Sequence, residues 1–148
     1  MSRRRAREAA MQAMFQIDLN PPEGDRREAW KAALDAAFSE GEGEMAKKPG
    51  SSDYAFSWGL LSGAMEKLAE IDEILSDLSK EWKISRMAGI DRSVLRLAVY
   101  ELEHGEDVTP GIVINEAVEM AKKYGTDESQ RFVNGVLGTM MRERRGEE

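Results

Sequence analysis

The sequence predicts an all-α protein, a compact bundle of six or seven helices. Apolar residues recur at the 3.6-residue helical spacing along almost the whole chain, no segment alternates convincingly like a strand, and Gly or Pro signals separate the periodic segments. The 148 residues, 41% of them hydrophobic, suit one globular domain with a real core. We therefore expect a single domain over residues 1–148.

The first predicted helix runs from about Ser2 to Asp18, and Asn20, Pro21 and Pro22 end it. Its apolar side consists of Ala6, Ala10, Ala13, Met14 and Ile17. The opposite side carries Arg4, Arg5, Gln12, Phe15 and Gln16. We expect the first side to be buried and the second to be a basic and amide surface with one exposed ring.

The middle of the chain predicts two more helical regions and a loop. A helix from about Arg26 to Phe38 buries Trp30, Leu34 and Phe38, and SEGEGEMAKKPGSS then predicts a mobile loop at about 39–50. Ser51 or Ser52 caps the following core helix, whose first turn holds Asp53. Its apolar residues are Tyr54, Trp58, Leu61, Met65 and Leu68. The period continues through Ile71, Ile74, Leu75, Leu78 and Trp82, in the same element or after a kink near Glu70.

A central helix is predicted next, opened by Gly89 and Asp91, because its apolar residues cover too much of the wheel for a surface helix. Thr109 followed by Pro110 predicts the start of another helix, since Pro loses only an orphan amide at the first helical position. These two helices account for residues 89–105 and the segment from 110.

The last two helices meet at a predicted turn. Gly125 is expected to end the first of them in a left-handed conformation, and the final helix begins around Asp127 with Gln130 completing a pair like a capping box. Gly135 and Gly138 lie outside the apolar arc of the final helix. Missing side chains there would let another backbone or a ligand approach.

Charge and composition exclude several classes of protein. Zero cysteines exclude disulfides and thiolate sites, and no run approaches the roughly 18 apolar residues of a membrane span, so we expect a cytoplasmic protein. The net charge of −7 argues against nonspecific nucleic-acid binding. A local basic patch is nevertheless predicted at Arg3, Arg4, Arg5 and Arg7. Cations at a helix amino terminus oppose the macrodipole, so helix stability does not explain them, whereas phosphate contact does.

The residues give no support for catalysis. His104 is the single histidine, and helical spacing places no carboxylate beside it, so neither a zinc site nor a serine triad is indicated. No phosphate-binding loop or dinucleotide fingerprint occurs, and the many carboxylates are explained by solvated faces. We expect neither an enzyme nor a bound metal.

Three ordered blocks resemble the NusB transcription antitermination family. They are RRRAREAAMQAMFQID at 3–18, IDRSVLRLAVYEL at 90–102, and INEAVEMAKKYG followed by FVNGVLG at 114–138. The resemblance covers nearly the whole chain apart from about residues 20 to 50. It implies two small helical subdomains and no catalytic activity or cofactor. It also implies binding of single-stranded boxA RNA jointly with the ribosomal protein NusE, which helps RNA polymerase resist termination on ribosomal RNA operons.

The resemblance and the residue chemistry together give eight candidate RNA-binding residues. By resemblance, Arg4, Arg5 and Gln12 face RNA, and Phe15, where the family commonly has tyrosine, stacks a base. In the carboxy-terminal block the candidates are Lys122, Lys123, Arg131 and Asn134, because cations suit phosphates and an amide can read a base edge. We expect this second group to meet the arginine face of the first helix in space.

The alternatives for these residues are structural. The arginines could be a solvated helix end, and Lys122 and Lys123 could pair with Glu119 at helical spacing. Phe132 starts the apolar arc, so that core packing is at least as good an interpretation as stacking on a base.

A second surface is predicted for NusE around the start of the central helix. The candidate residues are Asp91, Arg92, Arg96, Tyr100 and Glu101, although capping by Asp91 and intrahelical pairing explain most of them. By resemblance, an acid at Asp91 suits a basic ribosomal protein. The rival hypothesis is a helical protein-interaction module, with a homodimer as one form, that binds no RNA.

Overall fold

The computed structural model describes residues 3–39, 52–80 and 82–146, and within them it contains seven α-helices, one short 3-10 helix and no β-strand. The chain divides into an amino-terminal unit, residues 1–66, and a carboxy-terminal unit, residues 67–148. The amino-terminal unit contains α1 (Arg4–Leu19), α2 (Arg26–Ser39) and α3 (Ser52–Glu66). The carboxy-terminal unit contains α4 (Leu68–Leu78), the 3-10 helix (Ile84–Arg86), α5 (Gly89–His104), α6 (Pro110–Tyr124) and α7 (Asp127–Arg144). The all-α class and the two small helical subdomains are confirmed.

One predicted element lies mostly outside the residues that the structure describes. The loop predicted at about 39–50 lies, apart from its first residue, outside the described residues. Among the described helices, none combines the length and the apolarity needed to cross a membrane.

In the amino-terminal unit, α1 packs against α2 and α3 through the predicted apolar side. The buried residues of that side are Ala6, Ala10, Ala13, Met14 and Ile17. The small alanines let α3 come close, and the Ser57 hydroxyl donates a buried hydrogen bond of 2.8 Å to the carbonyl of Ala6. Tyr54 donates its phenol hydrogen to the Asp35 carboxylate. The pKa of Tyr54 is raised, mainly by burial and to a smaller extent by this hydrogen bond. These contacts tie α1 and α2 to α3.

The carboxy-terminal unit is built around α5, which contacts α4, α6 and α7 as a central helix should. Its buried apolar residues are Val94, Leu95, Leu97, Ala98, Val99 and Leu102. Arg96 crosses to α4, where Nε and Nη2 donate to the two carboxylate oxygens of Asp72, each at 2.9 Å. This bidentate pair fixes α4 on α5.

The structure answers the question left open for residues 52–82, whether the helical period belongs to one element or two, and corrects the placement of Trp82. The helical period is carried by two helices: α3 ends at Glu66 and α4 begins at Leu68. Trp82 does not continue the apolar side, because α4 ends at Leu78 and the indole is 53% exposed. Ser79 follows the helix, and its hydroxyl donates to the carbonyl of Trp82 at 3.1 Å. Within the predicted core helix Trp58, Met65 and Leu68 are half-buried.

The start of α6 at Pro110 is confirmed, but two details of the corner between α6 and α7 were predicted wrongly. Gly125 follows α6 with φ −102°, which is not left-handed. The reason for glycine is space: a Cβ there would collide with the Ser129 hydroxyl and lie 2.8 Å from the carbonyl oxygen of Ala121. Ser129, not Gln130, completes the capping box with Thr126. A hydroxyl in the third helical position therefore replaces the longer amide.

Candidate RNA-binding and partner-binding surfaces

Arg5 is anchored to α2 instead of projecting freely. Its Nη2 donates to the carbonyl of Ala37 at 2.6 Å, its Nη1 lies 3.3 Å from Oε1 of Gln12, and its guanidinium lies 5.6 Å from the Phe38 ring centroid. Ala37 is in the last turn of α2, where carbonyls have no helical partner. Part of the basic cluster therefore does serve helix stability, by binding the carboxyl end of a different helix. The dipole of α1, the helix that carries the arginine, does not reveal this contact, because the acceptor belongs to α2.

The other predicted RNA-binding residues of α1 differ in exposure. Arg4 is the first residue of the helix and is exposed. Phe15, predicted to be exposed, is half-buried, as is Gln12. The ring of Phe15 thus retains a partly accessible surface on the same side of α1 as Arg4.

Arg3 and Arg7 converge on Phe56 of α3, a contact that was not predicted. The Arg3 guanidinium lies 4.5 Å and the Arg7 guanidinium 5.4 Å from the ring centroid. Nη1 of Arg3 also donates to the carbonyl of Ser52 at 3.1 Å and lies 3.8 Å from the buried carboxylate of Asp53. The sequence shows an aromatic residue in the first turns of α3. That this ring contacts the arginines of α1 can be seen only in the tertiary structure.

The carboxy-terminal candidates lie on both sides of the corner between α6 and α7. Lys122 and Lys123 are exposed in the last turn of α6. Cations there also interact favourably with the negative end of the helix dipole. Arg131 and Asn134 are exposed on α7, and the Arg131 side chain, 82% exposed, lies 3.9 Å from Glu128. All four candidates of this unit are accessible from solvent.

Gly135 adjoins these residues and has open space above it. A Cβ there would meet no atom within 4 Å outside its own helix and chain neighbours. Packing within the described residues therefore gives no reason for glycine in the interior of α7, where glycine lowers helix stability. A backbone without a side chain at this position leaves space for the close approach of another molecule.

A cleft of about 480 Å³ opens beside the first turn of α5. Its lining comes from the segment before α5, from α5 itself and from the first two turns of α7. The residues are Trp82, Arg86, Met87, Ala88, Asp91, Glu128, Arg131 and Phe132. Arg92 holds this segment in place, because its Nη1 donates to the carbonyls of Ile84 at 3.0 Å and Met87 at 2.9 Å.

Besides Glu128, Arg86 and Arg131, the charged lining of the cleft includes the buried residue Asp91. Its residue surface is 8% exposed, and Oδ1 has no hydrogen-bond partner among the described residues. It does not cap α5, as had been considered, because the cap position belongs to Ala88 and no side-chain capping bond is present there. The positive end of α5 stabilises the carboxylate, yet one buried oxygen still lacks a donor.

The remaining partner-binding candidates are largely internal. Arg96 is 8% and Glu101 6% exposed, and Arg96 is engaged by α4 as described above. Tyr100 is half-buried, with its ring 5.3 Å from that of His104. His104 Nε2 lies 2.6 Å from Oε2 of Glu70, and this hydrogen bond lowers the pKa of Glu70 below its ordinary value of 4.5. Of the five candidates, Asp91 is the one that lines the cleft.

Sequence reasoning missed the aromatic wall of the cleft. Trp82 was assigned to the apolar side of a helix, and Phe132 was left between packing and stacking; the structure shows Phe132 half-buried at the cleft. Two features of the sequence could have predicted an exposed Trp82. It follows the end of a helix, and Lys80 and Lys83 are its near neighbours in the chain. Among the described residues, no group of three or more His, Asp or Glu is arranged to hold a metal.

All the described elements of both units are helical, which defines an all-α class of protein. The NusB family model matches residues 4–142. A transcription antitermination protein NusB from Pelotomaculum thermopropionicum is 42% identical over 141 residues, which cover 95% of this chain and 90% of that protein. The NusB of Desulfosudis oleivorans is 39% identical over 147 residues, covering 99% and 90%.

Two solved structures agree with this class. The structure of T. maritima NusB aligns with a TM-score of 0.79 and 34% identity over 97% of this chain and 92% of that one. A chain in a complex of the antitermination factors NusB and NusE with double-stranded RNA aligns with a TM-score of 0.78 and 28% identity, covering 95% and 96%. The chain therefore belongs to the NusB family.

Proposed function

We propose that this protein is a transcription antitermination factor that binds boxA-type single-stranded RNA together with NusE and so promotes transcription of ribosomal RNA operons. The observation that carries the proposal is the alignment, over 95% of the chain, with a protein solved in complex with NusE and RNA. The protein acts as an adaptor within the antitermination complex of RNA polymerase and performs no catalysis.

The RNA-binding role rests on exposed cations and on groups that can contact bases. Arg4, Lys122, Lys123 and Arg131 are exposed and can neutralise phosphates. Asn134 can read a base edge and Phe15 can stack on an unpaired base. Gln12 precedes Phe15 by three residues on α1 and is half-buried like it. Arg5 contributes chiefly by holding α2, although its charge adds to the field that attracts RNA.

Assembly with the partner is cooperative in this proposal. A protein with net charge −7 and few phosphate contacts holds RNA weakly alone. A basic partner bound alongside adds contacts that neither protein has separately, which raises the effective affinity of both. NusE docks at the cleft, where the negative charge of Asp91 attracts a basic side chain.

The first experiment measures labelled boxA RNA titrated with this protein, with NusE and with both, at two salt concentrations. Single-stranded and duplex forms are compared, because the related complex contains double-stranded RNA. We expect preference for the single strand and tighter binding with both proteins. Equal affinity with and without NusE would refute cooperative assembly. Absence of RNA binding, together with a dimer in light scattering, would favour the rival interaction module.

Arg4 and Arg26 provide a matched pair of variants for the RNA surface. Each is the exposed first residue of its helix, α1 and α2 respectively. Arg4→Ala should weaken RNA binding and reduce the slope of log affinity against log salt by about 0.7, the value for one phosphate contact to a single strand. Arg26→Ala should change neither. A similar loss of RNA affinity in both variants would indicate a nonspecific effect of positive charge instead of a contact made by Arg4.

Asp91→Asn tests the partner surface because it removes the charge and keeps the shape. NusE affinity should fall roughly 10- to 100-fold, the range for a desolvated charged hydrogen bond. Asp77→Asn is the control, since Asp77 is an exposed acid at the end of α4 that does not line the cleft. Unchanged NusE binding by the Asp91 variant would place the docking surface elsewhere.

A further inference from the structure

The connection between α4 and α5, residues 79–88, exposes a tryptophan among three cations. The eight candidate RNA-binding residues lie on α1, α6 and α7, so none of them belongs to this 79–88 segment. We infer that the segment is a further RNA-binding element, in which Trp82 stacks on an unpaired base and Lys80, Lys83 and Arg86 contact the adjoining phosphates. The inference rests on the proposed RNA binding and adds a base-stacking residue to it.

Trp82 differs from the other two tryptophans in its exposure. It is 53% exposed, whereas Trp30 is 5% exposed and Trp58 is half-buried. A single exposed apolar residue is ordinary on a protein surface, so the surroundings of Trp82 decide its interpretation. Aromatic rings set among cations are the arrangement that binds single-stranded RNA, because each base offers a face for stacking and each phosphate a negative charge.

The backbone that carries the indole is held on both sides. Before it, the Ser79 hydroxyl donates to the carbonyl of Trp82 at 3.1 Å, and the Trp82 amide donates to the carbonyl of Ser79 at 3.2 Å. After it, Arg92 donates to the carbonyls of Ile84 and Met87. The segment is therefore ordered before a ligand binds, which lowers the entropy that stacking on the ring would cost.

The charges of the segment favour an anion. Lys80, Lys83 and Arg86 are exposed, and none of them forms an ion pair with another described residue. Glu81, which lies outside the described residues, is the one acid in the sequence of the segment, against three cations. Lys80 follows the carboxyl end of α4, where a cation is favourable by itself. Lys83 stands at the amino end of the 3-10 helix, where the helix dipole gives no such reason.

The segment also borders a candidate RNA-binding residue. Trp82 and Arg86 line the cleft together with Arg131. The acids of the lining are Asp91, which is 8% exposed, and Glu128, which lies 3.9 Å from Arg131. Arg86 has no carboxylate partner among the described residues, so the rim beside Trp82 carries positive charge. An RNA strand that reaches Arg131 would meet this rim, whereas a basic protein would be repelled by it.

The first test follows the fluorescence of Trp82 while boxA RNA is added to the full-length protein in complex with NusE. The difference in emission between the wild type and Trp82→Phe isolates this ring from Trp30 and Trp58. We expect RNA to quench the emission of Trp82 and to protect the ring from quenching by acrylamide. RNA binding that leaves both the emission and the accessibility of Trp82 unchanged would refute stacking.

The second test measures the affinity of the same complex for labelled boxA RNA across a salt series. Trp82→Ala should weaken binding roughly 5- to 150-fold, the range for loss of one base–aromatic stack, with the salt slope retained because no charge is removed. Trp82→Phe keeps a stacking face and should lose less. Ile112→Ala is the matched control, since Ile112 is 54% exposed in the same unit and lies on none of the proposed surfaces. An equal loss in the Ile112 variant would refute a specific stack.

The cations are tested separately from the ring. The double variant Lys80→Gln with Lys83→Gln should lower the salt slope by about 1.4, the sum of two phosphate contacts to a single strand. Lys67→Gln is the control, because Lys67 is an exposed cation at the opposite end of α4 and should leave the slope unchanged. A retained slope in the folded double variant would refute the phosphate contacts.

The outcomes distinguish this inference from the proposed function. If the wild-type protein binds no RNA, both fail. If it binds RNA and Trp82→Ala binds with equal affinity, the inference is refuted while the function stands. Weakened NusE binding by Trp82→Ala in the absence of RNA, with unchanged RNA affinity of the protein alone, would assign the segment to a protein partner and overturn the inference.

A folding control completes the design. Circular dichroism checks each variant, and Trp82→Leu replaces Trp82→Ala if the alanine variant unfolds. Leucine keeps an apolar side chain and loses the aromatic face, so weaker RNA binding is expected from it as well. Wild-type RNA affinity in a folded Trp82→Leu variant would refute the inference.

Discussion

Gly135→Ala is the sharpest perturbation of the proposed RNA surface, because stability and binding should change in opposite directions. The residue is exposed in the interior of α7, and a Cβ there would have no neighbour within 4 Å outside its own helix and adjacent residues. Alanine should therefore stabilise the helix by about 0.5–1 kcal/mol through helix propensity alone. For a chain of this length, 1 kcal/mol corresponds to a rise in Tm of roughly 3 °C.

RNA binding should weaken in the same variant if a nucleotide approaches the bare backbone beside Arg131 and Asn134. An added methyl group in a close contact costs about 1–3 kcal/mol, or on the order of tenfold in affinity. Thermal unfolding by circular dichroism and an RNA titration with NusE measure the two effects. Gly111→Ala is the control, because Gly111 is also exposed with open space above it, in the first turn of α6. A higher Tm with unchanged affinity would refute close approach at Gly135, and a lower Tm would refute the helix argument.

Three further predictions concern contacts that lie inside the amino-terminal or the carboxy-terminal unit. Arg5→Ala should lower the free energy of unfolding by about 1–2 kcal/mol in urea denaturation, because the last turn of α2 loses a charged donor. Asp72→Ala should cost about 2–3 kcal/mol in the same assay, since it leaves the Arg96 guanidinium buried without its carboxylate. The pKa of Glu70, followed by NMR, should move back toward 4.5 when His104 is replaced by alanine. Because the pKa of Glu70 is lower in the folded than in the unfolded state, the contact stabilises the folded protein at pH values above the unfolded-state pKa. This stabilisation is lost as the pH falls through the folded-state pKa.

The helices were largely predictable from the sequence because their signals are local. The apolar side of α1, the start of α6 at Pro110 and the central position of α5 each follow from spacing or from one residue's backbone chemistry. The family resemblance added the two subdomains. Helix ends were less predictable, as Gly125 and Ser129 show, because several residue types can satisfy the same backbone groups.

The candidate surfaces were only partly predictable because they depend on contacts between distant segments. Arg5 was expected at an RNA surface, and it is 32 residues from the carbonyl that it binds. The pairing of Arg3 with Phe56 and the exposure of Trp82 likewise depend on which elements are neighbours in space. The roles of the candidate residues in RNA and NusE binding stay predictions for the experiments above.

The tight corner at Gly125 sets a fixed separation between two groups of charge. Lys122 and Lys123 lie in the last turn of one helix, and Arg131 lies in the second turn of the next, with no space at the corner for a larger residue. Under the proposed RNA binding, this corner would fix the spacing of the phosphates that the two groups of cations contact together. Replacing Gly125 should then change the distance between the cations without removing any of them.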